Sequence, residues 1–477
     1  MSVQPSEPLT ILQSHVTLGD PHTATDNKER LSLQRAVVEA LVQVDRQGDY
    51  APLLAERWSV EREGCQWIFH LRPHVEFHDG TQLQAADVVA SIARACDPDL
   101  GGELGTGGLY HRYLHDAVVT APNAHTVQLT TAEPMADLLD LLVEIPILPR
   151  HALDAMPQTL IGSGPYRLLE AKAEQVVMAR FDRYWAGAPP FPRIVWHKEA
   201  NGQARVARLL ADEVDLISKV PLAARSLVTE RAQTMLHVAQ DSVCVAFLCN
   251  AQRGVCVDRR VRQALNYALD RERVARAFAG DDAELLAGPL TRLHLGYDPA
   301  IAPYPYDPAR AQALLNEAGW GDGMQLVLDI PDTLPDEAPQ LAALMADDYR
   351  AIGIATEIRT FHDRPAYAEM VKAKQIDDAC CFDSSPLSTF RTLREKFHSG
   401  IQGPWWQGYA NAEVDTLLDQ AQRTVDRFVR QQVYRRAYRI LHEDAPWIFL
   451  YSPSLAWGAG PRAAGLGVSY DAVIQLP

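Results

Sequence analysis

Residues 307–359 constrain the fold of this chain more tightly than any other stretch. Asp307-Pro308 supplies an N-cap followed by a proline in the first helical turn, and Gly319 stands where a helix ends in a left-handed residue. Leu326-Val327-Leu328-Asp329-Ile330 then reads as a buried strand, residues 341–351 as a helix and residues 355–359 as a second strand. Helices that alternate with strands in this way bury their apolar faces only by packing on a mainly parallel sheet, so this part of the chain belongs to the α/β class.

The length of 477 residues predicts two or three domains, at roughly 100 to 200 residues each. With 47% hydrophobic residues the chain has material for sizeable cores and is not intrinsically disordered. Forty-five Lys and Arg against 61 Asp and Glu leave a net charge of −16 with no basic block, which excludes nucleic acid or an anionic membrane as a partner. No run approaches the roughly 18 to 20 apolar residues of a membrane span, and residues 1–10 lack the charged-then-apolar pattern of a secretory signal. The seven cysteines, Cys65, Cys96, Cys244, Cys249, Cys256, Cys380 and Cys381, lack zinc-site spacing and read as core thiols or as one or two disulfides with at least one thiol free. Adjacent Cys380 and Cys381 are expected on opposite faces of a strand.

Earlier in the chain, residues 9–12 read as a strand, residues 31–44 as one amphipathic helix and residues 66–71 as a half-buried strand before the Asp79-Gly80 turn. Residues 85–95 form a helix stopped by Asp97-Pro98. The glycine-rich segment 101–108 lacks the spacing of a phosphate cradle and reads as a loop. Gly162-Ser163-Gly164-Pro165-Tyr166 marks a sharp change of direction and is a candidate crossing between lobes, and residues 262–278 read as a helix. There is no Gly-x-Ser-x-Gly elbow, His-Glu-x-x-His, Walker loop or dinucleotide fingerprint, so no catalytic residue is assigned and the chain is read as a non-enzyme. His70, His74 and His78 recur every four residues but sit in a strand and a turn, so they share no helical face; no metal site and no cofactor is expected.

A set of ordered motifs now becomes informative. Pro52-Leu53-Leu54-Ala55-Glu56-Arg57-Trp58-Ser59, Trp67-Ile68-Phe69-His70-Leu71-Arg72, Phe77-His78-Asp79-Gly80 and Ala86-Asp87-Val88 follow one another. After them come Ile147-Leu148-Pro149-Arg150, Gly162-Ser163-Gly164-Pro165-Tyr166, Tyr184-Trp185-Ala186-Gly187, the segment 262–271, Tyr409-Ala410-Asn411 and Val414-Asp415-Thr416-Leu417-Leu418. Together they resemble the family 5 extracellular solute-binding proteins, which include oligopeptide, dipeptide and nickel receptors of ABC importers. The resemblance implies a two-lobed α/β periplasmic-binding-protein fold with a hinge, an extra subdomain inserted in the first lobe and a cleft that closes on ligand. Expected boundaries are 1–245 for the first lobe with the insertion at about 45–155, 246–440 for the second, and a return to the first over 441–477. The implied function is the substrate-binding component of an ABC transporter, delivering a peptide or amino-acid conjugate to the membrane permease subunits. The protein is expected to act as a monomer, periplasmic or lipid-anchored outside the cell, with its signal peptide not present in this chain. A nickel-type metal-chelate receptor and a cytoplasmic ligand-sensing regulator are the alternatives.

For the ligand site, the resemblance implies that the strand around Cys381-Phe382-Asp383 enters the cleft and that Asp383 grips the ligand's α-ammonium, although this segment is slightly short and has cysteine in place of the usual tryptophan. Asp383 is alternatively a turn cap with Ser384 and Ser385. Trp405, Trp406 and Tyr409 offer aromatic faces for stacking or for holding a cation, or else pack the lobe's edge. Arg391 and Arg394, one helical turn apart, suit a carboxylate or phosphate, and His15 lies just past the first strand.

Overall fold

The computed structural model describes residues 7–102, 107–156, 159–333 and 335–476, so residues 103–106 of the glycine-rich segment lie outside the described residues. The chain forms two compact units, one of residues 1–239 with 455–477 and one of residues 240–454. The chain leaves the first unit earlier than the expected 245/246 and returns later than the expected 440/441. The late return follows from the strand Trp447–Ser452, which is buried throughout and pairs antiparallel with Cys244–Cys249 in the second unit's sheet.

The first unit is built on a seven-stranded sheet in which Leu9–Gln13 runs parallel to Arg193–Lys198, Leu9 opposite Ile194, and to Leu216–Ile217. Leu9, Ile11, Tyr166, Trp196 and Trp457 form its core. Residues 31–44 are not one helix: the helix Lys28–Val37 ends there, and Glu39–Ala40 and Val42–Val44 are strands paired with Pro146–Ile147 and Tyr50–Pro52. Valines at 37, 38, 42 and 44 fit a helical period, but their branched side chains also suit an extended chain, and cross-strand partners decided the outcome. A separate four-stranded sheet runs in the order Ala55–Glu61, Gln66–Leu71, Thr126–Thr130, Val118–Asn123. The helix Ala85–Ala95 occupies the expected residues.

The Gly162-Ser163-Gly164 turn is not a crossing; it lies inside the first unit against the end of the helix Lys28–Val37. A Cβ at Gly162 would stand 1.9 Å from the Val37 carbonyl oxygen, and one at Gly164 2.7 Å from the Val37 carbonyl carbon. His78 locks the turn: Gly162 N–H donates to its Nδ1 at 3.3 Å and its Nε2 donates to Gly164 O at 2.9 Å. The acceptor role of Nδ1 requires the neutral ring. Burial, reinforced by Arg167, accordingly pushes the imidazole down to about 4.

His22 is held in the same tautomer, with Nε2 donating to Pro146 O at 2.9 Å and Nδ1 receiving Arg94 Nη1 at 3.1 Å. Burial and the Arg94 charge push it down to about 4. A histidine depressed in the folded state stabilises fully above its unfolded value of about 6.5 and loses that contribution as the pH falls through 4. Acidification across this window is expected to cost about 3 kcal/mol at His22. His22→Gln should flatten that part of a melting-temperature-against-pH profile, and an unchanged acid slope would contradict the assignment.

The second unit carries a six-stranded sheet in the order Glu284–Leu285, Trp447–Ser452, Cys244–Cys249, Ala379–Ser384, Met324–Pro331, Ile354–Phe361. Met324–Pro331 and Ile354–Phe361 run parallel and are joined through the helix Ala338–Arg350, the βαβ unit that the alternation over 307–359 predicts. Asp307 caps the helix Pro308–Glu317, and Gly319 follows with φ +87°. The segment 262–278 is two helices, Arg259–Tyr267 and Arg271–Phe278. They are separated where Asp270 caps the second and Arg271 turns inward. The buried Arg271 guanidinium donates to Phe449 O at 2.6 Å, Asn266 O at 2.7 Å, Tyr304 O at 3.0 Å and Asn266 Oδ1 at 2.6 Å. All seven thiols are free. Cys380 and Cys381 do face opposite cores, Cys381 with Cys249 and Phe247, Cys380 with Cys244 and Phe449.

Candidate functional site

The expected site residues fall in both units. His15 is in the first; Phe382, Asp383, Arg391, Arg394, Trp405, Trp406 and Tyr409 are in the second. The His15 side chain is 67% exposed, with Nδ1 3.0 Å from Ser14 Oγ. Beside it lies the buried Glu29 carboxylate, which accepts from Ser14 N at 2.9 Å and from the Ser14 and Ser218 hydroxyls, and faces Lys219 Nζ at 3.3 Å. Burial pushes the Glu29 acid upward, but Lys219 and the serine donors outweigh it and keep the carboxylate ionised below its ordinary range.

In the second unit, Asp383 sits near the end of the strand Ala379–Ser384, opposite Val245. Alternation along the strand turns Phe382 to the same core as Cys380. Phe382 lies there with ring centroids 5.0 Å from Trp405 and 6.4 Å from Trp447. Phe382 and Asp383 therefore do not present one surface. Trp406 is buried and its Nε1 donates to Tyr409 O at 2.6 Å; Tyr409 is buried too, donating from its hydroxyl to Asp444 Oδ2 at 2.7 Å. Both side chains are buried within the second unit. Trp405 is only half-buried, held by a loop that Lys374 fixes through Nζ bonds to Gly403 O at 2.8 Å and Pro404 O at 2.7 Å. Arg391 is buried in the helix Thr389–Phe397, while Arg394 donates to Asp419 at 3.0 Å across the neighbouring helix Ala412–Arg423. The two arginines thus do not form a common anion clamp.

Asp383 keeps a third of its side chain exposed and faces Arg364, with Oδ1 3.9 Å from Nη2. Arg364 opens the helix Arg364–Lys372, capped by Asp363. Its guanidinium lies 5.5 Å from the centroid of the Tyr367 ring. The Tyr367 hydroxyl donates to Cys381 O at 2.7 Å and Asp329 O at 3.1 Å, which ties this helix to the strand carrying Asp383. Sequence reading missed Arg364. The Asp363-Arg364-Pro365 start signal marks a helix, but only the sheet order brings that helix to Asp383.

A cavity of about 280 Å³ opens in the first unit beside Arg35, Glu39 and Tyr184. Glu39 accepts from Ser163 Oγ at 2.7 Å, Tyr184 OH at 2.8 Å and Trp185 Nε1 at 3.1 Å, and burial raises it to about 7. Among the described residues no cluster of three His, Cys, Asp or Glu is arranged to hold a metal ion, and no helix is long and apolar enough to cross a membrane.

Comparison with known proteins matches these features to a family. The glutathione-binding protein GsiB of Pectobacterium atrosepticum is 26% identical over 475 residues, covering 96% of this chain and 90% of that protein. The structure of HbpA2 from Haemophilus parasuis superposes with a TM-score of 0.86 at 21% identity, covering 99% of this chain and all of that one. The periplasmic binding protein DppA from Helicobacter pylori, solved with the peptide STSA, gives a TM-score of 0.78 at 21% identity over 98% of each chain. These likenesses establish the two-lobed periplasmic-binding-protein fold. The family model for bacterial extracellular solute-binding proteins, family 5, matches residues 49–385, and the chain belongs to that family as the solute-binding component of an ABC transporter.

Proposed function

We propose that this receptor captures a short peptide or peptide-like amino-acid conjugate with a cationic end, and that Asp383 holds that end. The observation carrying this reading is a carboxylate left one-third exposed near a strand end whose other side chains are almost all buried. A charge-assisted bond from an ammonium to such a group strengthens as water is excluded. The glutathione-binding relative supports the same ligand class. Half-buried Trp405 is the one aromatic of the expected set with surface left to contribute. The receptor acts outside the cytoplasm, periplasmic or lipid-anchored, as a monomer that hands its solute to the permease subunits, and performs no chemistry on it.

The test is a thermal-shift screen of glutathione and di- to tetrapeptides. A ligand at a hundred times its Kd stabilises by about 2.7 kcal/mol, a rise in Tm of roughly 5 to 10 °C. A screen in which none of these compounds moves the transition would defeat the reading.

A further inference from the structure

We infer that Cys249 and Cys256 are a disulfide-forming pair, a crosslink that closes the loop 249–256 of the second unit when the chain folds in the presence of an oxidising disulfide. One neighbour brings the two ends of this loop together. Asn250 N donates to Asp378 O at 2.8 Å and Val255 N donates to Asp378 Oδ1 at 3.2 Å, so the residue after one cysteine and the residue before the other converge on a single aspartate. Gly254 turns the chain back with φ +74°, and a Cβ there would collide with the same Oδ1. Each cysteine is also anchored by its own backbone. Cys249 N donates to Pro446 O at 3.2 Å, and Cys256 O accepts from Arg262 Nη1 at 2.9 Å. Both side chains are buried in the same core, and their thiols are hydrogen-bonded to one another. To bond, the sulfurs have only to close from that contact to the roughly 2 Å of a disulfide.

The other cysteines are less well placed. Cys244 and Cys380 lie in the opposite core of the second unit, and Cys65 and Cys96 belong to the first unit. Cys381 shares the core of the pair but stands opposite Phe247, two places along the strand from Cys249. The oxidant required is a small disulfide. The Cys249 thiolate attacks one of its sulfurs, forming a mixed disulfide and expelling a thiolate. The Cys256 thiolate then attacks the Cys249 sulfur and expels the second. Two electrons and two protons pass from the pair to the oxidant, which leaves as two thiols. The hydrogen bond to Cys249 and burial push the Cys256 thiol far above its ordinary range, so the finished fold supplies neither a ready thiolate nor a path for the oxidant. The bond therefore forms while the second unit is still assembling.

Refolding the whole protein from denaturant in cystamine and cysteamine supplies the oxidant directly, so the result bears on the pair whatever compartment the receptor occupies. In the folded fraction, thiol titration after denaturation is expected to find five of the seven thiols. Trypsin digestion should then yield peptide 232–253 joined to peptide 254–259, two hydrogens lighter than the separate pair. Peptide 232–253 also holds Cys244, so fragmentation between Leu248 and Cys249 assigns the bond. Cys244→Ser should keep the crosslink and Cys249→Ser should abolish it. If either variant does not refold, fragmentation of the wild-type pair decides alone. Seven titratable thiols after oxidative refolding, or a bond that joins Cys249 to Cys381 or Cys256 to Cys244, would overturn the inference.

Discussion

Gly162→Ala is expected to destabilise the first unit by at least about 3 kcal/mol, lowering its Tm by roughly 6 to 12 °C. The added methyl group would lie 1.9 Å from the Val37 carbonyl oxygen and 2.9 Å from Val38 Cγ1. The first neighbour is backbone at the end of a helix, and no rotamer change can move it aside. Relief requires the 162–164 turn to back away from the helix Lys28–Val37. That motion stretches the Gly164 N to Val37 O bond of 3.0 Å and both contacts to His78. The damage should thus spread beyond one contact. Circular dichroism melting of the variant beside wild type is the check, and a transition within about 2 °C of wild type would show that the turn is looser than these distances imply.

Asp383→Ala should weaken glutathione binding by about 1 to 3 kcal/mol, roughly five- to 150-fold in Kd, measured by isothermal titration. Its effect on folding should be small. The carboxylate is 34% exposed and its contact with Arg364 is a loose one at 3.9 Å, a pairing worth under about 1 kcal/mol at a protein surface. The two readouts therefore separate: affinity falls while the melting transition stays within a few degrees. Unchanged affinity would take Asp383 out of the site and return it to the role of a turn residue beside Ser384 and Ser385.

Local signals were the most legible. Caps and breakers fixed the helices Ala85–Ala95 and Pro308–Glu317, and ordered motifs named the family along most of the chain. Failures came where two periods fit the same residues or where distant partners decided. The valines after Val37 satisfy a helix as well as a strand until Pro146–Ile147 arrives as a partner. Arg271 breaks a helix because four oxygens receive it, two on Asn266 of the preceding helix and two on the distant Phe449 and Tyr304. The site was legible only as a list. Strand alternation separates Phe382 from Asp383, core packing absorbs Trp406 and Tyr409, and Arg364 reaches Asp383 through strand order that no local pattern encodes.

The points where the chain passes between units also bear on its synthesis. Residues 240–454 are contiguous, so every strand of the second sheet has been made once Ser452 emerges. The first sheet lacks the strand Ser454–Ala459, whose Gly458 and Ala459 pair with Ile217 and Leu216, until residues beyond 453 are translated. On a ribosome adding roughly 5 to 20 residues each second, the unit begun first is the unit finished last, and its exposed sheet must wait for the 215 residues of the other to pass.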